Sequence, residues 1–289
     1  MPNRTDSLRT LTALALLCLA SCTTSGLAQS RGRAPAPELS AAEAPTYADL
    51  ADLALAGRVV AVVEVDDQRT VPPERAPNVA PGKTRQYLAT ITQRLLAGPS
   101  AVGATLTFLA DLPLDPDGKP PKVEKRSFIV FGDSVPGRPG ELQLVTSKAM
   151  LPAGPIIEGR VREVLTQIAA RDVLPAITGV RDVISVPGNL TGESETQLFV
   201  ETAGGTPVSL SVIRRPQMEP RWGISLGEIV NQDAAPPQPG TIAWYRFACF
   251  LPRQLPESAF LQNDRESRDR ARADYDFVLG QLGPCERRL

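Results

Sequence analysis

The chain has 289 residues, 42% of them hydrophobic and 22% charged, enough for one large domain or two small ones with a real core. Its formal net charge of −1 provides no global field for capturing nucleic acid or anionic lipid. There is no histidine, which excludes Ser-His-Asp triads, Cys-His dyads, HExxH zinc sites and His-ligated haem.

Residues 1–10 are weakly basic through Arg4 and Arg9, and a short apolar run follows at 11–20. That is a signal-peptide pattern, and the run is too short to span a bilayer. The run ends in Leu19-Ala20-Ser21-Cys22, which resembles the lipobox of bacterial lipoproteins. The resemblance implies that Cys22 is diacylated and becomes the first residue. With Thr23 rather than Asp behind it, it implies anchoring at the outer membrane. Ordinary cleavage after Ala28, with Gly26 and Ala28 at −3 and −1, stands as the alternative and would leave a soluble periplasmic or secreted protein. Residues 1–22 are thus read as a signal segment with lipobox. Residues 23–45, almost without large apolar side chains, read as a disordered tether.

A short helix is expected over 47–55, ending at Gly57. Strand character follows at 58–65, 86–95, 104–109, 127–131 and 141–145. In the second of these, Tyr87, Ala89, Ile91 and Gln93 share one face and Leu88, Thr90 and Thr92 the other. The connectors carry Pro72-Pro73, Pro81-Gly82, Gly98-Pro99, Pro120-Pro121 and Pro136-Gly137, which is turn chemistry. Five short strands so connected predict a small antiparallel barrel over 46–155. Ile157, Val161, Val164, Leu165 and Ile168 then recur at helical spacing, giving a connecting helix within 156–180, a region that Pro175 and Gly179 end.

The remainder, 181–289, reads as a smaller antiparallel sheet with helices, so the fold class is α+β. Strands at 195–201 and 206–213 join at Gly204-Gly205 as a hairpin, and a third is expected at 221–230. Thr241 can cap a helix in which Trp244, Ala248 and Leu251 share a face. A charged helix is expected over 257–282, with Ala271, Tyr275, Val278 and Leu282 inward and Gly283-Pro284 as its stop. Asp264 with Arg268, and Glu266 with Arg270, are expected as i,i+4 pairs on its wet face. Of the four cysteines, Cys18 falls in the signal run and Cys22 in the lipobox. Cys249 and Cys285 remain as an even pair in an oxidising compartment, which predicts a disulfide between these two helices.

The stretch from Asp49 to Val145 resembles the OB-type barrel modules of secreted bacterial proteins, through Gly57-Arg-Val59, Leu95-Leu-Ala-Gly98 and Phe128-Ile-Val-Phe131. The resemblance implies an OB-like barrel. It does not extend to the inhibitory activity of netrin-like relatives, which rely on N-terminal cysteines that this barrel lacks. Pro45-Thr-Tyr-Ala-Asp-Leu50, Gly137-Arg-Pro-Gly140, Pro175-Ala-Ile-Thr-Gly179 and the stretch from Trp244 to Pro252 resemble a family of exported bacterial proteins of uncharacterised activity.

Three motifs look like chemistry. Gly132-Asp-Ser134 resembles the nucleophile block of GDSL-type esterases, but it lies in mid-chain and no histidine exists to activate Ser134. Gly223-Ile-Ser225-Leu-Gly227 matches G-x-S-x-G, yet it sits inside an expected strand instead of a strand-to-helix turn. Asp115, Asp117, Gly118 and Glu124 fall on EF-hand positions, but Pro113 occupies the first ligand position and prolines bar the flanking helices, so a turn is expected. No catalytic residue, metal ligand or cofactor is therefore assigned. The expected function is a non-enzymatic binding or structural lipoprotein with an envelope protein as partner, no nucleic acid, and membrane contact only through lipid on Cys22. The alternative is a carboxylate-dependent hydrolase of cell-wall or glycan substrates, which would need two carboxyls close together in a cleft. An exposed Trp222 would favour binding. A third idea, inhibition of a periplasmic enzyme, would use the loop at 112–121.

Overall fold

Thr46 starts the first helix, α1 (Tyr47–Ala56), through a capping box. Its hydroxyl accepts the Asp49 N–H at 3.1 Å, and the Asp49 carboxylate accepts the Thr46 N–H at 2.8 Å. The computed structural model describes residues 44–99, 102–226 and 234–289. The signal segment, Cys22 and all but the last two residues of the expected tether lie outside the described residues.

After α1 come β1 (Val59–Thr70), β2 (Lys83–Ala97), β3 (Thr105–Pro113), β4 (Ser127–Ser134), β5 (Leu142–Leu144) and β6 (Met150–Pro152). They form one sheet in the order β3-β2-β1-β4-β5, with β6 also paired to β4. The first five residues of β1 are buried without alternation, the mark of a strand covered on both faces. Its pairing with β2 shifts register at Val60/Ala61, Val62/Val63 and Val65/Asp67. Such bulges bend a strand and curl the sheet around its interior.

The curl stops short of the expected antiparallel barrel. Among the described residues, the two ends of the sheet are joined by one parallel bridge, from Thr107 of β3 to Glu141 just before β5. The reason is local. Pro136 and Pro139, which have no N–H to pair, sit in the turn before β5, and β5 itself holds only three residues. After it the chain turns away and returns as β6 along the other half of β4. Gly132 lets β5 approach β4 this closely: a Cβ there would stand 2.6 Å from the Gln143 carbonyl oxygen and 2.8 Å from Leu142 Cγ.

Helix α2 (Pro155–Ile168) follows, with Val161 and Val164 buried. Then come β7 (Ile177–Pro187), β8 (Ser194–Thr202), β9 (Val208–Arg214) and β10 (Arg221–Leu226), an antiparallel meander in the order β10-β9-β8-β7. The hairpin between β8 and β9 turns at Gly204 and Gly205, both at positive φ (90° and 74°). Strand β7 was not expected. It begins at Ile177, inside the last residues of the 156–180 region expected to hold the connecting helix, and runs on to Pro187, and irregularities at Ile177/Gly179 and Val180/Asp182 break its alternation.

Helix α3 (Ile242–Phe250) starts at Thr241, whose hydroxyl accepts the Trp244 N–H at 3.1 Å. Helix α4 (Arg265–Leu282) starts eight residues later than the expected boundary, behind a single 3-10 turn (Glu257–Ala259). Asp264 is its cap and accepts the Ser267 N–H at 2.8 Å. The expected Asp264–Arg268 pair does not form, because a capping carboxylate points back at the helix end. Arg268 reaches Glu257 instead, and Arg268 and Arg272 lie 4.6 and 4.8 Å from the Phe260 ring. Glu266 and Arg270 do pair, at 2.9 Å.

Two hydrophobic cores result. One lies inside the first sheet under α1 and α2; the other lies between the second sheet and α4. Helix α3 serves both, giving Ile242 and Tyr245 to the first and Phe247 to the second, with Leu251 just past its end also in the second. Gln167 of α2 locks the junction by accepting the Tyr47 hydroxyl at 2.9 Å and the Ile242 N–H at 2.8 Å.

The chain then returns to its start. Residues 283–289 lie against α1. Asp49, only 3% exposed, accepts the backbone N–H groups of Arg288 (3.1 Å) and Leu289 (3.2 Å) in addition to its cap bonds. Arg287 pairs with Asp52 at 2.6 Å, and Asp52 also accepts the Tyr245 hydroxyl at 2.5 Å. Burial pushes the Asp49 carboxyl up, but the donors on Thr46, Arg288 and Leu289 outweigh it and hold its pKa below the ordinary value. The stabilisation is therefore full above the unfolded-state pKa and lost as pH falls through the lower, folded value. We expect the native protein to lose stability on acidification below about pH 4 more steeply than Asp49→Asn, which has no carboxylate to protonate. Denaturant midpoints taken across that range check this, and parallel curves would refute it.

Candidate functional site

Where β3 and β5 diverge, the sheet opens into a groove of about 680 Å³. Strand alternation builds its walls. Tyr87 on β2 and Leu109 on β3 are register partners on the outer face, 39% and 49% exposed. Next to them Arg85 and Asp111, again directly opposite, form a two-pronged ion pair at 2.7 and 2.8 Å. This contact holds the Arg85 guanidinium above its usual pKa. Thr107 marks the end where the strands still touch, and its N–H donates to the Gly140 carbonyl at 2.8 Å. Gln143, Thr146 and Ser147 form the opposite wall, and an Arg138–Glu141 pair at 3.0 Å sits at the rim. Both carboxylates that line the groove, Asp111 and Glu141, thus already bind a guanidinium.

On the outer face the groove runs into an apolar stripe along β2, where Ile91 and Leu95 are exposed like Tyr87. The face that the alternation assigns to Tyr87, Ala89, Ile91 and Gln93 is the outward one; Leu88 and Thr90 are buried. A second cavity of about 700 Å³ adjoins the second sheet and is lined in part by Glu193, Glu195 and Glu219. Glu193 anchors a turn by accepting the Asn189 and Leu190 N–H groups, and Glu195 accepts Gln197 Nε2 at 2.9 Å.

The motif residues fall elsewhere. Ser134 is exposed at the end of β4, and the neighbouring Asp133 accepts the N–H and Nε of Arg58 at 3.1 and 2.9 Å. Ser225 is buried in the extended strand β10, opposite Ser209, while Gly227 lies outside the described residues. Asp115 heads a turn, accepting the Asp117 and Lys119 N–H groups at 3.0 and 2.7 Å through one oxygen. Trp222 is 7% exposed, packed in the second core, so it is not the surface aromatic expected; Tyr87 is. Among the described residues, no three His, Cys, Asp or Glu side chains gather to hold a metal ion. Cys249 and Cys285 are joined at 2.06 Å with Cα atoms 5.1 Å apart. Because Cys285 lies beyond α4, the bond ties the returning tail, not α4 itself, to α3.

No protein-family model matches the chain, and no curated protein matches it.

Proposed function

We propose that this protein is a non-enzymatic binding protein of the bacterial envelope, and that the groove at the seam of its first sheet is the recognition surface. The observation that carries this reading is the groove itself. It combines exposed Tyr87 and Leu109 with polar groups along a concave wall, and its charges are neutralised in pairs. A carboxylate hydrolase needs an acid free to give its proton, and both groove carboxylates are occupied by arginines. The strand order, with β3 beside β5 in parallel, supports kinship with the OB-like modules, whose binding face is formed by the second and third strands. The envelope location rests on the lipobox-like Leu19-Ala20-Ser21-Cys22. The Cys249–Cys285 pair supports it, because such bonds persist in oxidising compartments.

The test is a photo-crosslinking amino acid placed at Tyr87 in cells, with the same group at exposed Leu190 on the other half of the molecule as control. A discrete adduct from Tyr87 alone is expected, and equal or absent labelling at the two positions would sink the assignment. Anchoring is checked by detergent partitioning of Cys22→Ala, which should move to the aqueous phase while the native protein stays with detergent.

A further inference from the structure

We infer that the groove takes an extended segment of another polypeptide, added as a strand along the free edge of β3. This rests on the groove being the recognition surface and names the class of partner. The argument starts from backbone groups. Strand parity puts the N–H and C=O of Leu109 and Asp111 on the same edge as those of Thr107, away from β2. Thr107 is bonded across the seam through both its groups, its N–H to Gly140 and, in the parallel bridge to Glu141, its C=O to the Leu142 N–H, and among the described residues no further bridge follows beyond it. On the facing strand, the Glu141 carbonyl accepts the Val135 N–H just past β4 and the Val145 N–H donates to Phe131 of β4, at 3.1 Å each, so the Leu142 carbonyl and the backbone groups of Leu144 turn toward the groove.

By contrast, the end strands of the second sheet are covered. The Ile224 N–H on β10 donates to the Ala235 carbonyl. On β7 the Val183 carbonyl accepts the Leu261 N–H, and the Ser185 N–H donates to Gln262. An uncovered strand edge is a template for another chain.

The shape selects the occupant. From Leu109 to Pro113, which lacks an N–H, the free edge is about 13 Å long, enough for about four residues of extended chain. Because β3 and β5 run parallel at the seam, one inserted segment meets both edges in the same sense. The edge is recessed beside β5 and the turn at Thr146 and Ser147, so a single segment fits where the edge of a second copy's sheet would collide with that wall. The paired charges Arg85–Asp111 and Arg138–Glu141 offer nothing to a polyanion. Tyr87 and Leu109 offer an apolar floor for every second side chain of an uncharged segment.

The experiment is a displayed library of random heptapeptides selected on the intact protein and counter-selected on Ser147→Trp, which fills the groove from an exposed turn without touching β3. Selected peptides should alternate apolar residues. They should lose about tenfold or more in affinity when alternate peptide nitrogens are methylated, and again toward Leu109→Pro, which removes one edge donor. Ser147→Trp guards against the proline variant simply failing to fold. Failure to enrich any peptide over the counter-selection would overturn the proposal. So would peptides indifferent to methylation, or a dimer in sedimentation that Leu109→Pro dissolves, which would assign the edge to a second copy. If Tyr87 crosslinks specifically to a glycan while no peptide is selected, the groove stands as the recognition surface and the peptide does not.

Discussion

Serine at both Cys249 and Cys285 is expected to lower the unfolding free energy by about 3–4 kcal/mol. The bond closes a loop of 36 residues, and the chain-entropy model assigns that magnitude to such a closure. Its position adds a second effect. Cys285 sits between the end of α4, where Trp244 Nε1 donates to the Leu282 carbonyl at 2.8 Å, and the tail whose N–H groups seat on Asp49. Without the bond, α1 depends on a tail held by hydrogen bonds and one ion pair alone. Guanidinium titrations of the native and double-serine proteins measure the first effect. Hydrogen exchange over 47–56 and 283–289 measures the second, with faster exchange in both segments as the expected result. Unchanged exchange would mean that Arg287–Asp52 and the Asp49 cradle hold the tail unaided.

Removing the carboxylate of Asp274 should cost a comparable amount, about 3 kcal/mol. Asp274 projects from α4 into the second core, where it is 1% exposed. It lies 2.5 Å from Thr196 Oγ1 and 2.5 Å from Arg214 Nε. Thr196 Oγ1 is also 2.8 Å from Ser185 Oγ, so three strands converge on one acid. Asp274→Ala leaves the Arg214 guanidinium and the Thr196 hydroxyl without their acceptor, and losing one partner of a buried pair costs about 3–5 kcal/mol. Because Arg214 keeps 35% of its side chain in solvent, the lower end applies. Replacing both partners by apolar side chains, Asp274→Leu with Arg214→Met, should recover much of the loss, since no charge is then stranded. A double-mutant cycle decides this; additive losses would mean the pair is not coupled.

Much of this architecture was legible because local pattern decided it. The alternation at Leu88, Thr90 and Tyr87, the cap at Thr241 and the glycine pair at the β8–β9 turn each act within a few residues. What escaped depends on distant contacts. Strand β7 carries Gly179 and bulges, and its edge is completed by residues 260–262, some eighty positions later. The sequence places the start of α4 too early because residues 257–263 contain no glycine or proline to break the helix, and only the capping role of Asp264 marks the boundary. Trp222 reads equally well as a surface or core aromatic until Val212 is placed opposite it. The groove is legible in part. The outward face of β2 follows from period two, but the opposite wall depends on Gly132 letting β5 pack closely on β4, and in the sequence that glycine reads as part of a serine motif.

The seating of residues 286–289 on α1 also sets an order of events during synthesis. The Asp49 carboxylate and the last backbone N–H groups are 240 positions apart, and α3, which fills part of the first core, is itself late in the chain. As the polypeptide folds, the first sheet can pair its strands early, yet its capping helix gains these partners only once residues 286–289 are present. An early element is therefore completed late, and the seam strands stand beside an incompletely buried core until then.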